Sequence, residues 1–185
     1  MHPTRLEQAM RRQVTAALAT VAGVALALTP SLAPAAARTT GRESFKGTLV
    51  KTAPSGTSAI VSTTIGTRGV FTGLGRIAEA ASRPGDPQNV NRDDLVFPQG
   101  TMHISETNQP PKISLNPQTC MLTARVRQTV HIHGGTRKFR HASGTLAGAV
   151  RVWGVTPRNP DGSCSQNAEL LLEIDEVSAQ RTLSF

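Results

Sequence analysis

Met121-Leu122-Thr123-Ala124-Arg125-Val126-Arg127-Gln128-Thr129-Val130-His131-Ile132-His133 alternates apolar and polar side chains almost without a break. Leu122, Ala124, Val126, Val130 and Ile132 share one side; Arg125, Arg127, Thr129, His131 and His133 share the other. Successive side chains of a strand leave opposite faces of a sheet. A period of two over so long a stretch therefore predicts a half-buried antiparallel strand.

The same period recurs on both sides of it. Phe45, Gly47 and Leu49 alternate with Lys46, Thr48 and Val50. Further runs cover Ala59 to Ile65, Val70 to Glu79, Leu95 to Glu106, Thr145 to Val155 and Ala168 to Val177. In the last, Leu170, Leu172 and Ile174 are set against Glu169, Glu173 and Asp175. Pro54-Ser55-Gly56, Pro84 to Arg92, Asn108 to Pro117, Gly134-Gly135-Thr136 and Pro157 to Ser163 supply turn and loop chemistry between runs. Seven or eight strands at this spacing mean a sandwich or a closed barrel. Gly69, Gly73 and Gly75, in and beside the third run, favour the barrel, because closing a sheet bends its strands sharply.

Upstream, residues 1–37 read as a secretory signal peptide. Arg5, Arg11 and Arg12 form a basic head, Val14 to Thr29 is apolar, and Ala35-Ala36-Ala37 offers a small-residue cleavage site. The apolar run, about 16 residues, falls short of the roughly 20 that span a bilayer. Cleavage leaves one domain, 38–185, with no stable membrane span, secreted or held in the cell envelope. Two cysteines, Cys120 and Cys164, lie in that domain. An even pair in an exported chain reads as a disulfide.

The whole chain carries a net charge of +8, and about +6 remains once the leader is removed. The positive residues are scattered; Arg137, Lys138 and Arg140 form the densest group. There is one Trp and no Tyr, so stacking platforms for single-stranded nucleic acid are lacking. Nucleic acid is not expected as a partner.

Val70-Phe71-Thr72-Gly73-Leu74-Gly75-Arg76 is followed by Asp94-Leu95-Val96-Phe97-Pro98-Gln99-Gly100-Thr101, then Thr119-Cys120, Gly134-Gly135-Thr136-Arg137-Lys138-Phe139, Ala142-Ser143-Gly144-Thr145 and Asp161-Gly162-Ser163-Cys164. In that order these segments resemble small secreted actinobacterial proteins related to the allene oxide cyclase-like barrels. That group includes dirigent proteins and bacterial polyketide cyclases. The resemblance covers roughly Phe45 to Phe185, and the Gly-Gly-Thr segment is its most specific part. The chain departs from the family there: Arg137 and His141 stand where a glycine and small residues are usual. The resemblance implies an all-β, eight-stranded antiparallel barrel with a lumen. It implies no fixed catalytic set.

Few constellations suggest chemistry. His131 and His133 point the same way on a strand, as two metal ligands do in cupin barrels, but the glutamate a cupin places shortly afterwards is missing. They share their face with Arg125 and Arg127, which reads as solvent-facing, and no metal site is expected. Glu106 shares its side of a strand with Met102 and Ile104; in an apolar lumen its pKa would rise and it could serve as acid or base. The competing reading is a glutamate in water at a frayed strand end, followed by Thr107-Asn108-Gln109. Asp161-Gly162-Ser163-Cys164 reads as a turn rather than a nucleophile motif, and Trp153 as an anchor in the wall.

Met102, Ile104, Val126, Val130, Val152 and Leu172 are expected to line a lumen that takes a hydrophobic small molecule, with no cofactor. Two activities fit this expectation. One is a cofactor-free cyclase or isomerase acting mainly by positioning, with Glu106 as its acid. The other is a non-enzymatic carrier, or an envelope protein whose barrel is filled by side chains.

Overall fold

The computed structural model describes residues 38–185 with the exception of Ser55. The leader read over 1–37 lies outside the described residues. The strands are β1 (Thr40–Thr52), β2 (Ala59–Gly69), β3 (Gly73–Glu79), β4 (Val90–Phe97), β5 (Gly100–Asn108), β6 (Lys112–Leu115), β7 (Met121–Gly135), β8 (Ser143–Val155) and β9 (Leu172–Ser184). Eight of them close an antiparallel barrel in the order β1-β2-β3-β4-β5-β7-β8-β9, with β9 returning to β1.

β6 is a short addition. β5 pairs with β7 as far as Asn108↔Gln128, and β6 takes over at Lys112↔Arg125. Pro110 and Pro111 sit between them and have no N–H to donate, so the ladder breaks there. The run read as Leu95 to Glu106 is in fact two strands, β4 and β5, joined by Pro98-Gln99. Gly100 makes that hairpin possible, with φ at +144° and its Cα packed against the carbonyl of Thr136. Gly75 behaves as a barrel glycine should: a Cβ there would lie 2.3 Å from the Val96 carbonyl oxygen.

The two ends of the barrel differ. At one end the β2–β3, β4–β5 and β7–β8 connections meet, and all five phenylalanines gather there. Phe71 is the hub, with ring centroids 5.3 Å from Phe97, 5.0 Å from Phe139 and 5.8 Å from Phe185. Edge-to-face pairs of this kind add roughly 0.5–1.5 kcal/mol each beyond burial. Met102, Phe139 and Leu183 are wholly buried here, so this end is a solid floor. Glu43 is buried beside it because its Oε2 accepts the Phe71 N–H at 3.1 Å; burial pushes its pKa up.

The opposite end is an open mouth, framed by the β1–β2, β3–β4 and β8–β9 connections. Its wall is looser, since β2 and β3 pair only over Ile65↔Gly75 to Thr67↔Gly73. Beyond that the Thr63 hydroxyl substitutes for the ladder, accepting the Ile77 N–H at 3.1 Å and donating to the Ile77 carbonyl at 2.9 Å. The Cys120–Cys164 disulfide, with Cα atoms 5.3 Å apart, ties the turn before β7 to the β8–β9 connection. Asn116 shapes that turn by accepting the backbone N–H groups of Gln118 and Thr119 on its side chain.

Two outcomes are expected. The bridge closes a separation of 44 residues, so Cys120→Ser combined with Cys164→Ser should cost about 4 kcal/mol in urea unfolding. A change below about 1 kcal/mol would mean that the loops are held without it. Arg137, in the β7–β8 connection, has φ of +49°, where a side chain costs roughly 1–2 kcal/mol. Arg137→Gly should therefore raise stability by about 1 kcal/mol; a lower melting temperature would contradict this.

Candidate functional site

Residues directly opposite one another on antiparallel strands share a face of the sheet. The register therefore says which side chains enter the lumen. Leu49 pairs with Asp175, and Asp175 with Val152; Val152 pairs with Ala124. Glu79 pairs with Asp93, Asp93 with Ile104, Ile104 with Ile132, and Glu106 with Val130. All of these face inward.

Two adjoining chambers result. The inner one, about 80 Å³, lies above the floor and has walls that include Phe45, Ile65, Leu95, Ile104, Val130 and Leu146. Asp93, Glu106 and Gln128 bring polar side chains to it. The outer chamber, about 620 Å³, is the mouth, where Leu49, Val126, Val150 and Val152 stand among Lys51, Glu79, Asp93, Glu173 and Asp175. Asp93, Gln128 and Val177 line both chambers, which therefore adjoin.

The candidate residues divide as follows. Ile104 and Val130 line the inner chamber and are 7% and 5% exposed. Val126 and Val152 line the mouth. Met102 belongs to the solid floor and meets neither chamber. Leu172 is a correction, being 37% exposed and on the outer face. On β9 the lumen side is Glu173, Asp175, Val177 and Ala179, opposite to the expected parity. The reason lies further along the strand, where Leu183 must be buried in the floor while Ser178, Gln180 and Thr182 face water.

Glu106 is not at a frayed end. It is 6% exposed, and its Oε2 is buried without a hydrogen-bond partner. Burial raises its pKa to about 8, helped by the negative charge of Asp93 and a hydrogen bond with it. Burial likewise raises Asp93 to about 6, with the bond from Glu106 opposing the rise. Protonated, Glu106 can donate to Asp93, so the pair holds one proton between two oxygens at neutral pH. Asp175 forms a second such pair with Glu173. Burial and the charge of Glu173 push Asp175 to about 7, and its Oδ1 also lacks a partner.

Lys51 lies across the mouth, with Nζ 3.1 Å from Glu79 Oε1 and 3.7 Å from Glu173 Oε1. Burial works to lower its pKa, but the bond to Glu79 and the charges of Glu173 and Asp175 outweigh it. Lys51, Glu79, Asp93, Glu173 and Asp175 were not among the expected site residues. Each shares strand parity with a core residue: Lys51 with Leu49, Glu79 with Ile77, Asp93 with Leu95 and Phe97, and Asp175 with Val177. That parity was the available signal.

His131 and His133 lie on the outer wall. His133 Nε2 is 2.7 Å from Ser105 Oγ, and His131 Nδ1 is 3.2 Å from Thr145 Oγ1. Among the described residues no three His, Cys, Asp or Glu side chains are grouped to hold a metal ion. Trp153 is also on the outer wall, opposite Ile174. No protein-family model, curated protein or solved structure matches the chain.

The raised carboxyls make stability depend on pH. A carboxyl that holds its proton more tightly when folded contributes fully below its ordinary pKa, and its contribution is lost as pH rises towards the folded value. For Glu106 that window runs from 4.5 to about 8. The loss is about 1.4 kcal/mol per pH unit while the window lasts. Glu106→Gln should flatten the fall in melting temperature between about pH 5 and pH 8 and leave the variant more stable than wild type at the upper end. An unchanged slope would assign the proton elsewhere.

Proposed function

We propose that this chain is an exported barrel that takes an apolar small molecule into its lumen and isomerises or cyclises it without a cofactor, Glu106 being the proton donor. The observation that carries the reading is the placement of Glu106. It is a buried carboxyl with an unpartnered oxygen, in a chamber walled mainly by aliphatic and aromatic side chains. An acid that keeps its proton near neutral pH is suited to general acid catalysis. The chamber volumes favour an occupied lumen over one filled by side chains. The resemblance to allene oxide cyclase-like barrels points the same way, although one fold hosts many activities. The disulfide suits an exported protein, and among the described residues no helix is long and apolar enough to cross a membrane.

In this reading the walls hold a flexible substrate in a reactive conformer, which removes much of the entropic part of the barrier. Glu106 passes its proton to a basic oxygen or an alkene carbon of the substrate as a new bond forms within it. The Glu106–Asp93 pair then takes a proton back from the rearranged product. Substrate and product have the same composition, and the carboxyl pair ends as it began. A carrier would use the same chamber and leave the proton where it is.

The test is titration of the protein, as residues 38–185, with the neutral fluorescent probe N-phenyl-1-naphthylamine. Wild type should bind it, and Val130→Trp, which fills the inner chamber, should weaken binding at least tenfold while thermal melts show a folded protein. Overpacking of this kind costs roughly 1–3 kcal/mol of stability, which a barrel with this core can absorb. Equal binding by both folded proteins, or no binding by wild type, would remove the lumen from consideration. Once a substrate is found, Glu106→Gln should abolish turnover and retain binding. Undiminished turnover would leave the chamber without its acid.

A further inference from the structure

Charge is segregated across the barrel wall. The chain has twelve acidic residues, and five of them, Glu79, Asp93, Glu106, Glu173 and Asp175, line the lumen. They come from four strands, β3, β4, β5 and β9. Arg125, Arg127 and Arg151 occupy the outward parity of β7 and β8. Inside, Lys51 faces the carboxylates. Arg92, at the rim, is already held by Asp86 through Nε at 2.7 Å and Nη2 at 2.8 Å.

Lys51 pairs with Glu79 and Glu173. Among the described residues no side-chain cation lies within ion-pair distance of Asp93, Glu106 or Asp175. Glu106 and Asp175 are 6% and 7% exposed, and each has one buried oxygen without a donor. Of the two, Glu106 lines the apolar inner chamber and Asp175 lines the mouth. A buried acceptor left unmade is costly, and a donor arriving with a ligand recovers that cost on binding. A carboxylate ligand brings no donor and adds a like charge. An alcohol brings one donor. An ammonium brings three, together with the charge that the site lacks.

We infer that the molecule admitted to the lumen is an apolar amine, its hydrocarbon part in the inner chamber and its protonated nitrogen in the mouth against Asp175. This rests on the lumen-binding reading above and narrows it to a substrate class. Around that nitrogen the other charged or titratable groups are Lys51 from β1, Glu79 from β3, Asp93 from β4 and Glu173 from β9. From β7 and β8 the neighbours are the neutral Gln128, Val126, Val150 and Val152. The Asp175 carboxyl, whose pKa burial raises, should ionise beside the ammonium, so binding should release protons.

The experiment compares octylamine, octanol and octanoate, each below its aggregation limit, by calorimetry on the protein at neutral pH in a chelating buffer. Octylamine should bind at least tenfold more tightly than octanol, with octanoate weakest. Repeating the octylamine titration in buffers of different ionisation enthalpy should show proton release. Asp175→Asn, checked by thermal melt, should reduce the octylamine affinity about tenfold. Octanol binding as tightly as octylamine, or octanoate binding best, would overturn the amine inference while leaving lumen binding in place. Absence of binding by all three to folded wild type would overturn both. Undiminished octylamine affinity in the folded variant would place the ammonium away from Asp175 and overturn the assignment.

Discussion

The register of β9 against β1 and β8 is the constraint on which the interior depends. Leu49↔Asp175 and Asp175↔Val152 put Asp175 inside, and a slip of one residue would turn every side chain of the strand over. Leu172 and Ile174 would then enter the mouth and the acids would leave it. What prevents the slip is the far half of the strand. Val177, Ala179 and Leu183 belong in the core, and Leu183 is wholly buried, whereas Ser178, Gln180 and Thr182 suit water. Apolar burial at the floor thus holds carboxylates inside at the mouth, where no apolar gain would place them. The same logic runs through β1, β3 and β4, each of which carries a core residue and an ionisable mouth residue on one parity.

A barrel built this way has a gradient along its axis. The phenylalanine floor is dry and packed, the middle chamber is apolar with Glu106 and Asp93 at its edge, and the mouth is charged. The carboxyl pairs sit where the environment changes from one to the other. A fully solvated carboxyl would lose its proton well below neutral pH, and one buried alone would hold it too firmly to exchange. Pairing Glu106 with Asp93 gives the proton a second acceptor close by, and the open mouth gives it a route to water. The disulfide and the Asn116 turn stiffen the loops around that opening, so the mouth keeps its shape without being closed.

Much of the fold is legible in the amino-acid order, because strand alternation is a local signal. Met121 to His133 lies within β7, and Gly73 and Gly75 of the third run lie in β3. The β4–β5 hairpin was harder to see, since Pro98-Gln99-Gly100 interrupts an apolar stretch without changing its character. The site was only partly legible. Glu106 could be placed by its parity with Met102 and Ile104. Asp175 could not be placed from Ala168 to Val177 alone, where Leu170, Leu172 and Ile174 outnumber Leu171 and Val177 of its own parity; the deciding residues, Ala179 and Leu183, come after that run. Lys51, Glu79 and Asp93 come from strands whose neighbours are known only once the barrel is closed, and their mutual effect on pKa is a property of that closure.

The account turns on the lumen carboxyls holding protons near neutral pH. Carbon-13 detected titration of the side-chain carboxyls, with Glu106 and Asp175 assigned by substitution, measures this directly. The account expects Glu106 to titrate last, at about 8, with Asp175 at about 7 and Asp93 at about 6. Titration of all three between about 3.5 and 4.5, as for solvated carboxyls, would contradict it.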